Sequence, residues 1–184
     1  MKMRNLTSSI LILLALMCSM SCFAQMAKPS PERSTVQFKI KNFGSTVNGT
    51  FGGLEGSIDF DPLYPDRARF DVSVDANSVD TNIGLRDKHL RNEEYFDVKT
   101  YPRLRFVSTS VASSTKSGEF MIKGNLTIKA TTREITFPFV YSQVNGTSVF
   151  KGEFQVNRRD FNVGGNSFSL ADTLIVMLSV AIDK

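Results

Sequence analysis

The 184-residue chain has no tryptophan, one histidine and two cysteines, and each shortage removes a class of function. A lone histidine, His89, cannot form a two-histidine metal site or a histidine pair, so no metal site is assigned. No Gly-x-Ser-x-Gly elbow occurs, and Gly164-Gly165-Asn166-Ser167 fits neither that motif nor a phosphate loop. Carboxylates are plentiful, but in the strand-like stretches they mostly alternate outward, where a solvated charge is the ordinary reading. No catalytic residue is assigned, and the chain is read as a non-enzyme. No apolar run approaches the roughly 20 residues of a membrane-spanning helix.

Part of the positive charge belongs to the N-terminal segment. Lys2 and Arg4 precede an unbroken apolar run from Ile10 to Cys18, and Cys22-Phe23-Ala24 puts small residues at both positions a signal peptidase reads. Cleavage is expected after Ala24, making residues 1–24 a signal peptide and the protein periplasmic or secreted. A lipid anchor on Cys22 is the alternative: Ser21 precedes it, but the leucine of a lipoprotein signal is absent. Losing Lys2 and Arg4 lowers the 22 basic residues to 20, against 18 acidic ones. That near balance argues against a nucleic-acid groove, which needs clustered positive charge. Both cysteines, Cys18 and Cys22, leave with the same segment, so the remaining 160 residues form one domain held by core burial alone.

What the mature chain has in abundance is alternation. After a polar lead-in over 25–33, apolar residues recur at every second position, as in Ala68, Phe70, Val72 and Val74 or Leu174, Val176, Leu178 and Val180. Strands are predicted near 34–42, 47–60, 67–76, 103–112, 118–129, 133–144, 147–158 and 172–183. Short turn-like links make neighbours antiparallel hairpins, and closure removes the two open edges of such a meander. The expected fold is therefore all-β: a single eight-stranded antiparallel barrel over 34–184. In 47–60 the apolar phase slips at Gly52-Gly53, which predicts a β-bulge there. Between Ser78 and Pro102, Leu85, Lys88, His89 and Asn92 recur at helical spacing, and Asp80, Thr81 or Asn82 is placed to cap. A short helix is expected across one mouth.

Eight strands enclose a space that side chains fill, or that holds one slender ligand. The chain has 15 phenylalanines, most on the inward phase and interleaved with small residues such as Gly49, Ala68, Gly124 and Gly152. One reading is a packed interior. The other is an apolar tunnel walled by Phe38, Phe51, Phe70, Phe106, Phe120, Phe137, Phe139, Phe154 and Leu178. Arg86, His89 and Tyr95, in the polar segment 86–97, would then meet the head of a bound amphiphile at the rim. The structural alternative has Arg86 pairing with a carboxylate such as Asp97.

Arg86-Asp87-Lys88-His89-Leu90-Arg91, then Tyr95-Phe96-Asp97-Val98 and Tyr101-Pro102-Arg103-Leu104-Arg105-Phe106, resembles the central signature of the YceI-like family. Ser34 to Ile40, Val47 to Phe51, Gly124 to Thr132, Asn157 to Gly164 and Ala171 to Val176 resemble its flanking motifs. The likeness spans essentially the whole mature chain. It implies a lipocalin-like, usually exported barrel that carries or stores a polyisoprenoid, an isoprenoid quinone or a fatty-acid-like lipid, with no other cofactor. It further implies a homodimer among the allowed assemblies, and the expected membrane encounter is transient. Ala130, where the family's turn has glycine, and Tyr95, where phenylalanine is commoner, depart from the pattern. A ligand-free structural or stress-response envelope protein acting through its surface is the competing reading, and a hydrolase or isomerase a distant third.

Overall fold

The alternating stretches become strands close to where the period places them. The computed structural model describes residues 26–183, so the expected signal peptide, with Cys18 and Cys22, lies outside the described residues. The strands are β1 (Thr35–Asn42), β2 (Ser45–Phe51), β3 (Glu55–Asp59), β4 (Arg69–Asp75), β5 (Arg103–Ser113), β6 (Glu119–Ile128), β7 (Thr131–Val144), β8 (Thr147–Asn157) and β9 (Leu170–Asp183). All pair antiparallel in one sheet, ordered β2-β1-β9-β8-β7-β6-β5-β4-β3. First and last long strands meet, with Phe38 opposite Val176 and Val36 opposite Leu178, so the sheet curls round on itself. Phe43-Gly44 and Asn145-Gly146 carry positive φ at both positions, the two-residue hairpin geometry that matches strand twist.

The sheet has nine strands, not eight, because the expected strand 47–60 is cut rather than bulged. Its first half pairs with β1 and its second with β4, so one continuous segment forms both edges of the sheet. At the crossing, Gly53 takes φ +62°, a left-handed conformation costly for other residues, and a Cβ there would lie 2.9 Å from that of Asp75. The corner is fastened by backbone and side chain together. The Asp75 amide donates to the Gly52 carbonyl (3.0 Å), the Gly52 amide to Ser78 Oγ (2.7 Å), and Arg103 Nη2 to the Gly53 carbonyl (2.8 Å).

The helix α1 (Gly84–Leu90) forms where the spacing predicts it, but none of the three expected residues caps it. Ile83 occupies the cap position without a side-chain bond, and the Asp80 carboxylate instead accepts from the Asn82 amide (2.7 Å). Thr81 is buried and donates both its amide and its hydroxyl to the buried Asp87 carboxylate, so the helix is tied back from within its own first turn. Arg91 secures the other end through bonds to the Asn77 carbonyl (2.7 Å) and the Val79 carbonyl (2.8 Å).

Apolar side chains inside the barrel fall into two groups. Toward the end where β3 meets β4, Phe60 sits among Phe70, Phe120, Phe139, Tyr141 and Phe150, with ring centroids 5.1–6.0 Å away. That end is filled. Toward the opposite end, under α1, Ile128, Val156, Phe161 and Val163 gather Tyr95, Phe96, Leu104 and Leu174 around them.

Candidate functional site

Between the ring-filled end and α1 lies an apolar cavity of about 330 Å³. Inward residues of β1, β2, β4, β5, β6, β8 and β9 form its wall, and residues of α1 and the segment after it form its roof. Five of the nine expected tunnel residues line it: Phe38, Phe51, Phe106, Phe154 and Leu178. Phe70, Phe120, Phe137 and Phe139 do not: Phe70, Phe120 and Phe139 pack around Phe60 in the filled end, and Phe137 lies against Phe106 and Phe154. Phe120 and Phe139 stack at 5.4 Å, and Phe70 lies 5.7 Å from Phe139.

The reason is height along the barrel. Phe70 and Phe106 share an inward phase, but Phe106 pairs with Val72, one inward step nearer the mouth than Phe70. Phe137 stacks on Phe154 at 4.4 Å and stands 5.7 Å from Phe106, forming the floor beneath two rings that line the cavity. Two of the interleaved small positions are taken up by neighbouring rings. The Phe38 ring occupies the place of a Gly49 side chain, and the Phe106 ring that of Gly124.

Arg86, His89 and Tyr95 all line the cavity at its α1 end. Arg86 is half-buried, and its partner is Thr81 rather than Asp97: Nε donates to Thr81 Oγ1 (2.7 Å) and Nη2 to the Thr81 carbonyl (2.8 Å). His89 is exposed, with Nε2 3.9 Å from a Glu94 carboxylate oxygen and its ring 4.9 Å from that of Tyr95. Tyr95 is positioned by Gly164, whose missing side chain lets the ring approach the backbone closely. The Gly164 amide in turn donates to the Glu94 carbonyl (2.8 Å).

Of the polar cavity residues outside the expected set, two are set apart by their burial. The side-chain oxygen of Asn42 is buried with no hydrogen-bond partner. Its signal was its place at the end of an inward strand phase, where an apolar residue is the norm. Arg158 is buried and spends its donors on the chain around it: Nε on the Ala171 carbonyl (3.0 Å), Nη1 on the Val163 (2.9 Å) and Gly165 (3.0 Å) carbonyls, Nη2 on Leu170 (3.4 Å) and the Asp172 carboxylate (2.7 Å). A guanidinium so committed fixes the loop between β8 and β9 and has nothing left for a ligand. Among the described residues, no three His, Cys, Asp or Glu side chains are grouped to hold a metal ion.

An antiparallel barrel plugged at one end, with an apolar cavity roofed by a short helix at the other, defines a lipocalin-like class of β-barrel. Within that class the chain belongs to the YceI-like family: the YceI-like domain model matches residues 28–182. Protein YceI of Salmonella arizonae is 33% identical over 142 residues, covering 72% of each chain. The crystal structure of Burkholderia cenocepacia BcnA superposes with a TM-score of 0.79 at 25% identity, covering 83% of this chain and 98% of that one. A polyisoprenoid binding domain from Saccharophagus degradans, implicated in plant cell wall breakdown, shares the fold with a TM-score of 0.69 at 13% identity, over 86% and 98% of the two chains.

Proposed function

We propose that this protein binds a long-chain amphiphile, a polyisoprenoid, an isoprenoid quinone or a fatty-acid-like lipid, and carries or stores it in the cell envelope. The apolar tail would lie in the cavity and the head at Arg86, His89 and Tyr95. The observation that carries this reading is the cavity itself, set in a barrel whose other half is filled with rings. Left dry, 330 Å³ of apolar void costs on the order of 8 kcal/mol, comparable to the whole stability of a domain. Water gains little from walls of Phe, Leu and Val, whereas a hydrocarbon chain gains about 0.8 kcal/mol per buried CH₂. The volume also falls at the lower end of the range for small-ligand pockets, ~300–1,000 Å³. The same reading is supported by the Saccharophagus degradans domain, which has this fold and is described as polyisoprenoid binding. The unpartnered Asn42 oxygen fits a head that offers a donor.

Mass spectrometry of an organic extract of the purified protein tests the proposal. A co-purifying long-chain amphiphile near one per protein is expected, and a protein that is lipid-free and takes up none when offered would sink the carrier reading. Export is part of the proposal, and N-terminal sequencing of protein from the envelope should begin at Gln25.

A further inference from the structure

We propose that Asn42 selects the head of the bound amphiphile. Its buried oxygen accepts a hydrogen bond from a hydroxyl, so the protein takes an alcohol or a hydroquinone in preference to an ether, an ester or a quinone of the same tail. The inference rests on reading the cavity as an amphiphile site and adds the chemistry that site demands of a head.

Among the described residues, the Asn42 oxygen is the one buried side-chain polar atom without a hydrogen-bond partner. Buried polar groups are nearly always paired, because an unpaired one gives up its hydration for nothing in return. Asn42 ends β1 on the inward phase, after Phe38 and Ile40, and all three line the cavity. The register against β9 shifts at this point: Ile40 lies opposite Leu174, but Asn42 lies opposite Leu170. Irregularities of this kind re-aim side chains beside binding sites.

The wall around Asn42 offers the oxygen nothing. Ile40 precedes it on β1, and Val47, Leu170 and Leu174 face it from the paired strands; all four line the cavity and none has a side-chain donor. A single water gains little among them, because a held water needs several polar partners. Strong donors elsewhere in the lining are already engaged: Arg158 with the loop before β9, Arg105 with Asp71, and two nitrogens of Arg86 with Thr81. The missing donor therefore comes from the ligand. A hydroxyl supplies it, whereas an ether, an ester or a quinone brings only acceptors. A site with a buried group built to meet a hydroxyl rejects the analogue that lacks one.

Calorimetry of the lipid-free protein with dodecanol and with dodecyl methyl ether tests the proposal. The ether keeps tail and oxygen and replaces the hydroxyl proton with a methyl group. Wild type should bind the alcohol about tenfold tighter or more. In Asn42→Leu the advantage should vanish, with the ether bound as in wild type and the lipid-free variant melting no lower. Asn42→Ala, the second variant, should lose the advantage in the same way. A prenyl hydroquinone set against its quinone separates the two sources of a hydroxyl: the pair with the larger Asn42-dependent difference gives the class of head. Wild type that binds the members of each pair equally overturns the selection and leaves the carrier reading standing. An alcohol advantage that survives in both variants overturns the assignment to Asn42. Binding of none of the four probes overturns the carrier reading, and the selection with it.

Discussion

Arg86 and His89 stand side by side at the rim but are built into the molecule differently. Arg86 belongs to a chain of bonds through Thr81 to the buried Asp87, so removing it disturbs the fastening of α1. Arg86→Ala is therefore expected to cost about 1–3 kcal/mol and to lower lipid retention as well. His89 touches only Tyr95 and, loosely, Glu94, so His89→Ala should lower retention with stability changed by no more than about 0.5 kcal/mol. Melting curves of the lipid-free variants, read beside their lipid content, check both, and a stable His89→Ala that keeps its lipid removes the head-group role. On the outer face, the Arg105 guanidinium bonds both oxygens of Asp71 (2.8 and 2.6 Å) and holds that carboxyl below its usual range. A depressed carboxyl stabilises the fold above the ordinary carboxylate range, and the gain is lost as pH falls through the lowered value. Arg105→Ala should thus melt slightly lower than wild type at neutral pH, with the gap closing in acid and shrinking in salt. A gap of constant size across the titration would show that charge is not its source.

At the scale of elements, strand positions were legible because alternation is strict and the turns carry their own chemistry, as Asn145-Gly146 does. The seam was half legible. The phase slip at Gly52-Gly53 marked the site, but a bulge and a strand that leaves one edge for the other give the same slip. Only the partners of β2 and β3 separate the two. Gly53→Val, which combines a left-handed φ with a clash against Asp75, should destabilise the fold by ~1–3 kcal/mol, measurable by urea denaturation. A neutral outcome would mean the corner relaxes. The helix was legible from spacing, its cap was not. Asp80, Thr81 and Asn82 all have side chains of the capping type, but the cap position falls one residue later, on Ile83, and the Thr81 donors satisfy the buried Asp87 carboxylate instead. Likewise, the turn that departs from the family's glycine at Ala130 places its left-handed residue one position earlier, at Lys129 with φ +54°.

For the whole molecule, period two tells which face a side chain takes but nothing of its height in the barrel, and height is what divides cavity from plug. Nine expected tunnel residues therefore split five to four, although all were read as sharing the inward phase. Arg86 and His89, on α1, and Tyr95, in the segment after it, all border the cavity. The division sets an upper length for any bound tail. A chain entering beneath α1 gains about 0.8 kcal/mol for each CH₂ it buries until it meets Phe106 and Phe154, which rest on Phe137. Affinity for saturated fatty acids of increasing length should therefore rise steadily and then level off. Phe137→Ala takes away the support beneath both rings and joins the cavity to space inside the plug, at a cost of ~3–5 kcal/mol that leaves a domain of ordinary stability folded. In that variant the plateau should move to longer chains while short ones bind as before, a comparison calorimetry can make directly. If the folded variant levels off at the same length as wild type, the ring floor is not what limits the tail, and the bound chain must leave the barrel by another route.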